Sequence, residues 1–326
     1  MSEPWRSLRI GVTGAAGFVG SHLIRALMEK GARVRALVHH SPLQADVEVI
    51  KGDITDTDTL VRFCAGLDGV FHLATALGNR HISENEFMRI NARGVSALLE
   101  QAGRAEVKRV VHFGSAGIFG RTSGRKLLKE GDPGQPVDAY EKSKHAGEQV
   151  ALTWAFPPEV CVLRPGWVYG PGDGRTFKLI RRIQSGFFFV AGRGDILQTP
   201  IYVDDLVKSA LAVYLAGLPG RDYNAAGDPV TVNQLVAAAA RALDRNDRFI
   251  HVPMGLLLPP AVVLETLCGL IGREAPLSRS RLAFFRRGKP LDSSRIRNEL
   301  GVDFPTSLET GLATAISGYR DLGWLP

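Results

Sequence analysis

The chain has 326 residues, of which 45% are hydrophobic and 22% charged, and it carries a net charge of +7. This composition excludes an intrinsically disordered protein, and the length suggests one large domain or two interlocked ones. Cys64, Cys161 and Cys268 are odd in number and far apart, which favours buried thiols in a reducing compartment over a disulfide framework. The first residues show no signal-peptide pattern, so we expect a cytoplasmic protein.

Short β-rich runs alternate with helical stretches in the first half of the chain. The runs are apolar on both faces, as buried parallel strands are, and they cover 8–14, 33–38, 47–53, 69–74, 108–115 and 160–166. Helix-length segments lie at 17–30, 85–103 and 138–155. This alternation predicts an α/β fold, a Rossmann-type doubly wound parallel sheet with right-handed crossovers. In such sheets ligands bind beyond the carboxyl ends of the strands.

The first strand leads into a glycine-rich turn, VTGAAGFVG at 12–20. Gly14, Gly17 and Gly20 stand where a dinucleotide site needs a tight turn, close approach to a pyrophosphate and tight helix packing. The N–H groups of the following helix would then face the phosphates. The spacing is GxxGxxG rather than GxGxxG, but the strand-turn-helix context is the one required. We therefore predict that this turn binds NAD(P).

The end of the second strand predicts which dinucleotide is preferred. A carboxylate there would bind the ribose of NAD, whereas basic residues would accommodate the 2′-phosphate of NADP. The segment RALVHHSP has no carboxylate, and Arg35, His39 and His40 lie close together. This favours NADP(H) over NAD(H). Asp53, at the end of the next strand, could bind the adenine amino group or cap the following helix.

The segment DAYEKSKH at 138–145 places Tyr140 and Lys144 four residues apart. Residues at this spacing share a helical face, so the phenol and the ammonium can converge. A nearby positive charge lowers the pKa of a phenol from its ordinary value of about 10, which would prepare it for proton transfer. The alternative is two exposed residues on a polar helix.

After residue 167 the alternation loosens, and turns rich in Gly and Pro become frequent. We predict an NAD(P)-binding domain at 1–166, to which a segment near 199–217 returns, and a smaller α/β substrate-binding region at 167–326. The run 254–272 is strongly apolar, but Pro259, Pro260 and Glu265 argue against a transmembrane helix. It could be a buried helix near a substrate cleft or one that dips into a membrane surface.

A cluster of eight basic residues follows this run, with only Glu274 and Asp292 as acidic neighbours. Its members are Arg273, Arg279, Arg281, Arg286, Arg287, Lys289, Arg295 and Arg297. Such a cluster could meet acidic lipid headgroups, an anionic substrate or nucleic acid, or it could be a solvated surface. We expect no nucleic-acid partner and leave peripheral membrane association open.

Together, several motifs resemble those of the extended short-chain dehydrogenases/reductases, also called the NAD-dependent epimerase/dehydratase family. They follow the family order over about two thirds of the chain: TGAAGFVG, GDITD (52–56), VFHLAT (70–75), Asn91 in RINARGVSALLEQA, HFGSAGIFG (112–120), YEKSK (140–144), LRPGWVYGPGD (163–173) and IYVDDL (201–206).

The resemblance implies a role for each residue of a Ser-Tyr-Lys triad. Tyr140 would exchange a proton with the substrate oxygen, Ser115 would polarise that oxygen, and Lys144 would lower the pKa of Tyr140 and bind the nicotinamide ribose. Ala74 and Pro165 would approach the nicotinamide through their backbones, and no metal is required. The implied cofactor-binding residues are Gly14, Ala16, Gly17, Phe18, Val19, Gly20, His39, Asp53, Ile54, Leu73, Ala74, Thr75, Asn91, Tyr140, Lys144 and Pro165.

Other polar residues of these motifs are interpreted as structural. We expect Arg164, Asp204 and Asp205 to fix loops and helix starts, and Glu141 and Glu148 to be surface positions on the helix of Tyr140. Many relatives dimerise through this helix, so the resemblance also implies a homodimer.

Two departures from the family pattern bear on the substrate. Nucleotide-sugar epimerases typically have an asparagine where this chain has Trp167, and an Arg-Asp pair where it has Thr199 and Pro200. TPIYVDDL instead resembles the 3β-hydroxysteroid and sterol dehydrogenase branch. Trp167, the apolar run 254–272 and the triplet Phe187–Phe189 fit a lipophilic pocket, although the phenylalanines are equally compatible with sheet core.

We therefore expect an NAD(P)-dependent oxidoreductase that acts on a secondary alcohol or ketone of a lipophilic, sterol-like or terpenoid substrate. A nucleotide-sugar epimerase or dehydratase is the alternative. A cofactor-binding regulatory or scaffold protein without turnover is a third hypothesis, which the intact triad disfavours.

Overall fold

The computed structural model describes residues 4–77, 82–120, 122–186, 188–270, 275 and 277–326, without the side chains of Leu270, Ser280 and Arg281. Phe187, Arg273, Glu274 and the end of the run 254–272 lie outside the described residues.

Short strands and helices alternate in the first half of the described chain, and the part after residue 252 is helical. The strands are β1 (Arg9–Thr13), β2 (Arg33–Val38), β3 (Glu48–Lys51), β4 (Gly69–His72), β5 (Arg109–Phe113), β6 (Glu159–Pro165), β7 (Trp167–Tyr169), β8 (Phe189–Ala191), β9 (Leu197–Gln198), β10 (Pro200–Tyr202), β11 (Asp222–Ala225), β12 (Val230–Thr231) and β13 (Ile250–Val252). The helices are α1 (Phe18–Glu29), α2 (Thr57–Cys64), α3 (Glu84–Met88), α4 (Gly94–Arg104), α5 (Ala139–Leu152), α6 (Gly174–Gln184), α7 (Val203–Ala216), α8 (Val232–Ala242), α9 (Met254–Leu270), α10 (Arg279–Ala283), α11 (Ser294–Leu300) and α12 (Leu308–Asp321).

A seven-stranded parallel sheet forms the centre, in the order β3-β2-β1-β4-β5-β6-β11. This confirms the predicted Rossmann-type fold. The strand order reverses between β1 and β4, and the crevice beyond this point is where such sheets bind ligands. Six of the strands are the six predicted runs. The seventh, β11, follows α7, the helix that packs against β5, β6 and α1.

Apolar cores cover both faces of the sheet, which explains why its central strands β1, β4, β5 and β6 are mainly apolar on both faces. Val110 and Val111 are neighbours in β5, yet Val111 packs with α1 and α7 whereas Val110 packs with α2 and α4. A further core joins α6, α8 and α12 in the second half of the chain. In the described part of the chain, no helix is both long enough and apolar enough to cross a membrane.

Candidate active site

The glycine turn after β1 has the shape that a pyrophosphate requires. Gly14 has a φ of +66°, and a Cβ there would lie 2.8 Å from the Ala74 nitrogen. A Cβ on Gly20 would lie 2.4 Å from the Gly14 carbonyl oxygen. Both positions therefore need glycine. No side chain caps α1 at Gly17, which leaves its first N–H groups for an anion. The residues present thus fit the phosphates of a dinucleotide.

Thr13 at the end of β1 fixes the loop that follows β4. Its Oγ1 accepts hydrogen bonds from the N–H groups of Leu73 and Ala74, each at 3.1 Å, and lies 2.7 Å from Nδ1 of His72. Burial lowers the pKa of His72 to about 3, so its ring is neutral. The predicted cofactor residues Leu73 and Ala74 are therefore held beside the glycine turn, at the point where the strand order reverses.

Asn91 links this loop to the helix of Tyr140. The predicted helix at 85–103 is interrupted by a π-helical turn at Arg89–Arg93, which contains Asn91. The Asn91 Oδ1 accepts hydrogen bonds from Thr75 Oγ1 (2.9 Å) and the Ala76 N–H (2.7 Å), and its Nδ2 donates to Ser143 Oγ (3.0 Å). Ser143 in turn donates to the Tyr140 carbonyl (2.8 Å). Asn91 therefore positions the start of α5, and its direct contact with a cofactor stays a prediction.

The three predicted catalytic residues converge beyond the ends of β5 and β6. Tyr140 and Lys144 lie on α5, which Asp138 caps by accepting a hydrogen bond from the Glu141 N–H at 2.8 Å. Ser115 follows β5, its Oγ accepts a hydrogen bond from the Gly117 N–H at 3.0 Å, and its hydroxyl opposes the effect of burial, which raises the pKa of the Tyr140 phenol. The buried Lys144 donates from Nζ to the Phe113 carbonyl at 2.7 Å. The arrangement therefore joins a phenol and a hydroxyl that can act on one substrate oxygen.

The proton of Tyr140 is held more firmly than the sequence predicts. Burial raises the pKa of Tyr140, and the hydrogen bond from Ser115 and the charge of Arg175 oppose this only in part. Burial also lowers the pKa of Lys144 to about 8. The expectation of a lowered Tyr140 pKa is wrong for this arrangement, because the phenol is desolvated while the ammonium donates to the Phe113 carbonyl. Arg175, at the start of α6, is a neighbouring cation that sequence reasoning missed.

Glu148 was expected on the surface, and this was wrong. It is fully buried, and its Oε1 accepts a hydrogen bond from Arg164 Nε at 2.9 Å. Arg164 is also buried and pairs with Asp222 of β11 at 2.5 Å. The signal was present in the sequence, since Tyr140, Lys144 and Glu148 follow one another at four-residue spacing on one helical face. Arg164 is structural, as predicted.

Glu141 was also expected on the surface but is buried. It accepts a hydrogen bond from the Val137 N–H at 2.9 Å and pairs with Lys289. Lys289 also lies 3.4 Å from the Gly117 carbonyl, so the C-terminal part of the chain is joined to the start of α5. Asp204 and Asp205 are structural, as predicted. Asp204 pairs with His22, and Asp205 accepts from the Thr306 N–H.

Of the three basic residues predicted to lie near the adenine ribose, His39 and His40 follow the end of β2, whereas Arg35 lies elsewhere. His39 and His40 follow β2 and are exposed, with ring centroids 3.6 Å apart. Arg35 instead donates to the Ala65 carbonyl at 2.6 Å and pairs with Glu48 at 2.8 Å, because it lies near the middle of β2. Its expected place near a 2′-phosphate was therefore wrong.

Asp53 follows β3, and Ile54 is buried next to it. The Asp53 carboxylate accepts from the Thr55 N–H at 2.9 Å and pairs with Arg89 at 3.2 Å. Its alternative role as a helix cap was wrong, since Asp56 caps α2 by accepting from the Thr59 N–H. Arg89 is a further cation at this edge that sequence reasoning did not single out.

Aromatic side chains from the second half of the chain pack against one another after Pro165 and around the core of α6, α8 and α12. Trp167, two residues after Pro165, packs edge-on against Phe284 with ring centroids 5.2 Å apart. Phe188 packs against Phe249 at 5.3 Å and is part of an apolar core, whereas Phe189 is 38% exposed. The phenylalanine run is thus divided between core and surface over its described residues.

The predicted basic cluster is largely paired. Four of its cations make ion pairs: Arg279 with Glu265, Lys289 with Glu141, Arg295 with Asp222, and Arg297 with Asp228. Over the described ranges, Arg286 and Arg287 make no ion pair. The sequence count of eight basic residues therefore overstates the free positive charge.

The fold and the glycine turn define a Rossmann-type protein of the dinucleotide-binding class. Residues 10–226 match the profile of the NAD dependent epimerase/dehydratase family, and the chain belongs to this family. Its members are NAD-dependent enzymes, which confirms the resemblance seen in the sequence motifs.

Relatives of this chain act on different molecules. The chain is 28% identical to "Sterol demethylase protein B" of Methylococcus capsulatus, over 96% of this chain and 99% of the relative. It is 27% identical to "Ceramide reductase" of Caulobacter vibrioides, over 97% and 96% of the two chains. Among solved structures, MoeE5 in complex with UDP-glucose and NAD is 27% identical, with a TM-score of 0.77 over 96% of this chain and 99% of MoeE5.

Proposed function

We propose that this protein is an NAD(P)-dependent reductase or dehydrogenase that acts on a secondary alcohol or ketone of a lipophilic, sterol-like or terpenoid molecule. The observation that carries the proposal is the convergence of Ser115, Tyr140 and Lys144 beside the glycine turn. A bound nicotinamide would supply or accept the hydride.

The protein's own groups would move the proton. The phenol of Tyr140 keeps its proton because burial raises its pKa. A protonated phenol can donate to a carbonyl oxygen as that oxygen gains charge, and the Ser115 hydroxyl can donate a second hydrogen bond to it. This favours reduction of a ketone at neutral pH. Lys144 would bind the nicotinamide ribose, as the family resemblance implies.

Two observations support a lipophilic substrate. Trp167, two residues after the predicted nicotinamide contact Pro165, packs against Phe284, and we infer that this aromatic pair faces the substrate. Thr199 and Pro200, where sugar-nucleotide enzymes carry an Arg-Asp pair, offer no charge for a diphosphate. The names of the sterol and ceramide relatives agree with this proposal. The similarity to MoeE5 supports the alternative, a nucleotide-sugar epimerase or dehydratase.

Incubation with both substrate classes separates these functions. The purified protein is mixed with NADPH or NADH and with steroid ketones, 3-ketosphingolipids, terpenoid ketones or UDP- and dTDP-sugars. Net loss of reduced-cofactor absorbance with a lipophilic ketone supports the proposal. An isomerised or dehydrated sugar without net cofactor change would support the alternative, and activity on neither class would favour a cofactor-binding protein without turnover.

Three finer features belong to the same proposal. NADP(H) is preferred because His39 and His40 stand where NAD enzymes of this fold carry a carboxylate. The protein is a homodimer through the face that includes α5, where Phe156, just beyond the helix, is 72% exposed. It also associates peripherally with a membrane, from which a lipophilic substrate could be taken up.

A further inference from the structure

The outer face of α9 is apolar and uncovered. Leu256, Val263 and Leu267 lie on this face at helical spacing and are 68%, 56% and 55% exposed. Val262 and the two prolines, Pro259 and Pro260, are exposed beside them. A soluble protein rarely leaves so many neighbouring apolar side chains in water unless they contact a partner.

The inner face of the same helix is packed against the protein. Leu257 and Ala261 are buried with Leu282 in one cluster, to which Phe285 also belongs. The single charged residue of α9 is Glu265, and it pairs with Arg279 of α10 at 2.6 Å. The inner face thus anchors the helix to the fold, and the outer apolar face is exposed to solvent in the folded protein.

Among the described residues, unpaired positive charge follows α10, the short helix that packs against α9. Arg286 and Arg287 directly follow Phe285, which packs against the inner side of α9, and they make no ion pair within the described part of the chain. The net charge of the chain is +7. An apolar helix face with adjacent unpaired arginines complements an anionic bilayer, whose interface takes up apolar side chains and whose headgroups attract cations.

We propose that α9 docks this protein on the surface of an anionic lipid bilayer, with Leu256, Val263 and Leu267 inserted and Arg286 and Arg287 at the headgroups. Behind α9, Phe285 contacts Phe284 at 5.1 Å between ring centroids, and Phe284 contacts Trp167. Three aromatic rings in contact therefore connect the inner side of α9 to Trp167. The docking itself is independent of the catalytic proposal, but delivery of a lipid substrate from the bilayer rests on it.

Flotation with phosphatidylcholine vesicles, with and without phosphatidylglycerol, tests the docking. The wild-type protein should float with the vesicles that contain phosphatidylglycerol and dissociate at high salt. The double variant Val263→Glu, Leu267→Glu should bind the vesicles at least about tenfold more weakly than the wild type, because two inserted apolar side chains become charged. Removing charge in Arg286→Gln, Arg287→Gln should weaken binding about fivefold per arginine, the equivalent of about 1 kcal/mol each.

The matched control is Leu215→Glu, Leu218→Glu, which alters two side chains of similar exposure, 47% and 55%, at the end of α7. It should bind vesicles like the wild type. Failure of the wild type to float, or equal flotation of the α9 variant and the wild type, would overturn the proposal. Sedimentation without lipid tests whether this face binds a second copy of the chain instead. A wild type that is dimeric, together with an α9 variant that is monomeric, would assign the face to dimerisation and overturn the proposal.

These measurements need no substrate, so the docking can fail or succeed regardless of the proposed reaction. If the α9 variant still turns over a detergent-solubilised ketone but no longer turns over a vesicle-borne ketone, membrane docking is linked to the proposed reaction. Equal loss of both activities would instead indicate damage to the fold, which circular dichroism and thermal unfolding of the same variant detect.

Discussion

Glu148 lies one turn beyond Lys144 on the same face of α5, and its charge raises the Lys144 pKa against the opposing effect of burial. The same carboxylate pairs with the buried Arg164, which pairs in turn with Asp222 of β11. A chain of charges thus runs from the proposed catalytic lysine to the edge strand of the sheet. Because Lys144, Glu148 and Arg164 are buried, each of these three charges depends on its neighbour, whereas Asp222 is partly exposed.

Replacing Glu148 by Gln should destabilise the fold by about 3 kcal/mol, because Arg164 keeps a buried charge while losing one of its two carboxylates. Urea unfolding measures the change. Glu100→Gln, at an exposed position of α4, is the control and should alter the free energy of unfolding by less than about 0.5 kcal/mol. Similar stabilities for the two variants would show that the pair with Glu148 contributes little.

Replacing Tyr140 by Phe should leave cofactor binding nearly intact and reduce turnover at least ~10²-fold, the scale of positioned proton transfer. Fluorescence titration with NADPH measures binding, and steady-state kinetics measures turnover. The control is Tyr169→Phe, which changes a buried tyrosine in the core that joins α6, α8 and α12, and this variant should keep its activity. Wild-type turnover in the Tyr140 variant would refute the assigned role.

The pH dependence should differ between the two reaction directions. Reduction needs the protonated phenol, and because the pKa of Tyr140 is raised, this form is present at neutral pH and is lost only in alkali. Oxidation needs the phenolate and should accelerate as the pH rises. Profiles of kcat/KM in both directions measure this, and reduction that slows already below neutral pH would contradict it.

Lys144 should add a separate step near pH 8, since its ammonium loses its proton at a pKa of about 8. The reductive kcat/KM should decline first through this pH, before Tyr140 titrates. In Lys144→Met the rate should be lower overall and the step near pH 8 absent. A step that persists in this variant would belong to another group.

Cofactor preference should depend on His39 and His40 and not on Arg35. His39→Ala, His40→Ala should weaken NADPH binding roughly threefold to tenfold and leave NADH binding unchanged, since only NADPH carries the 2′-phosphate. Arg35→Lys should not change the ratio of the two affinities. Clear preference of the wild type for NADH would refute the proposal.

Patterns that depend on local chemistry predicted much of this structure. Most of the six sheet strands were predictable because both of their faces are buried, although β3 at the sheet edge is largely exposed. The glycine turn was predictable because Gly14 and Gly20 have no room for a side chain. β11 was missed because its sequence, DYNA, alternates polar residues. Asp222 and Asn224 are inside because they contact Arg164, and no periodicity encodes such a partner.

Features that depend on tertiary contacts could not be predicted from the sequence patterns. Glu141 and Glu148 resemble surface residues until Lys289 and Arg164, far along the chain, neutralise them. The π turn around Asn91 was hidden because one extra residue barely changes a helical pattern over a short window. Similarly, burial determines the pKa of Tyr140, and burial is a property of the folded chain.

The position of β11 has a consequence for how this polypeptide can be divided. The strand that completes the sheet comes from residues 222–225, so the nucleotide-binding half borrows its last strand from beyond the expected boundary at 166. A fragment of residues 1–166 would keep the β5 pairing of β6 but leave its other edge unpaired, and it would leave Arg164 without Asp222. Such a fragment should aggregate through that open edge, and a separately expressed remainder should rescue it only by supplying the missing strand.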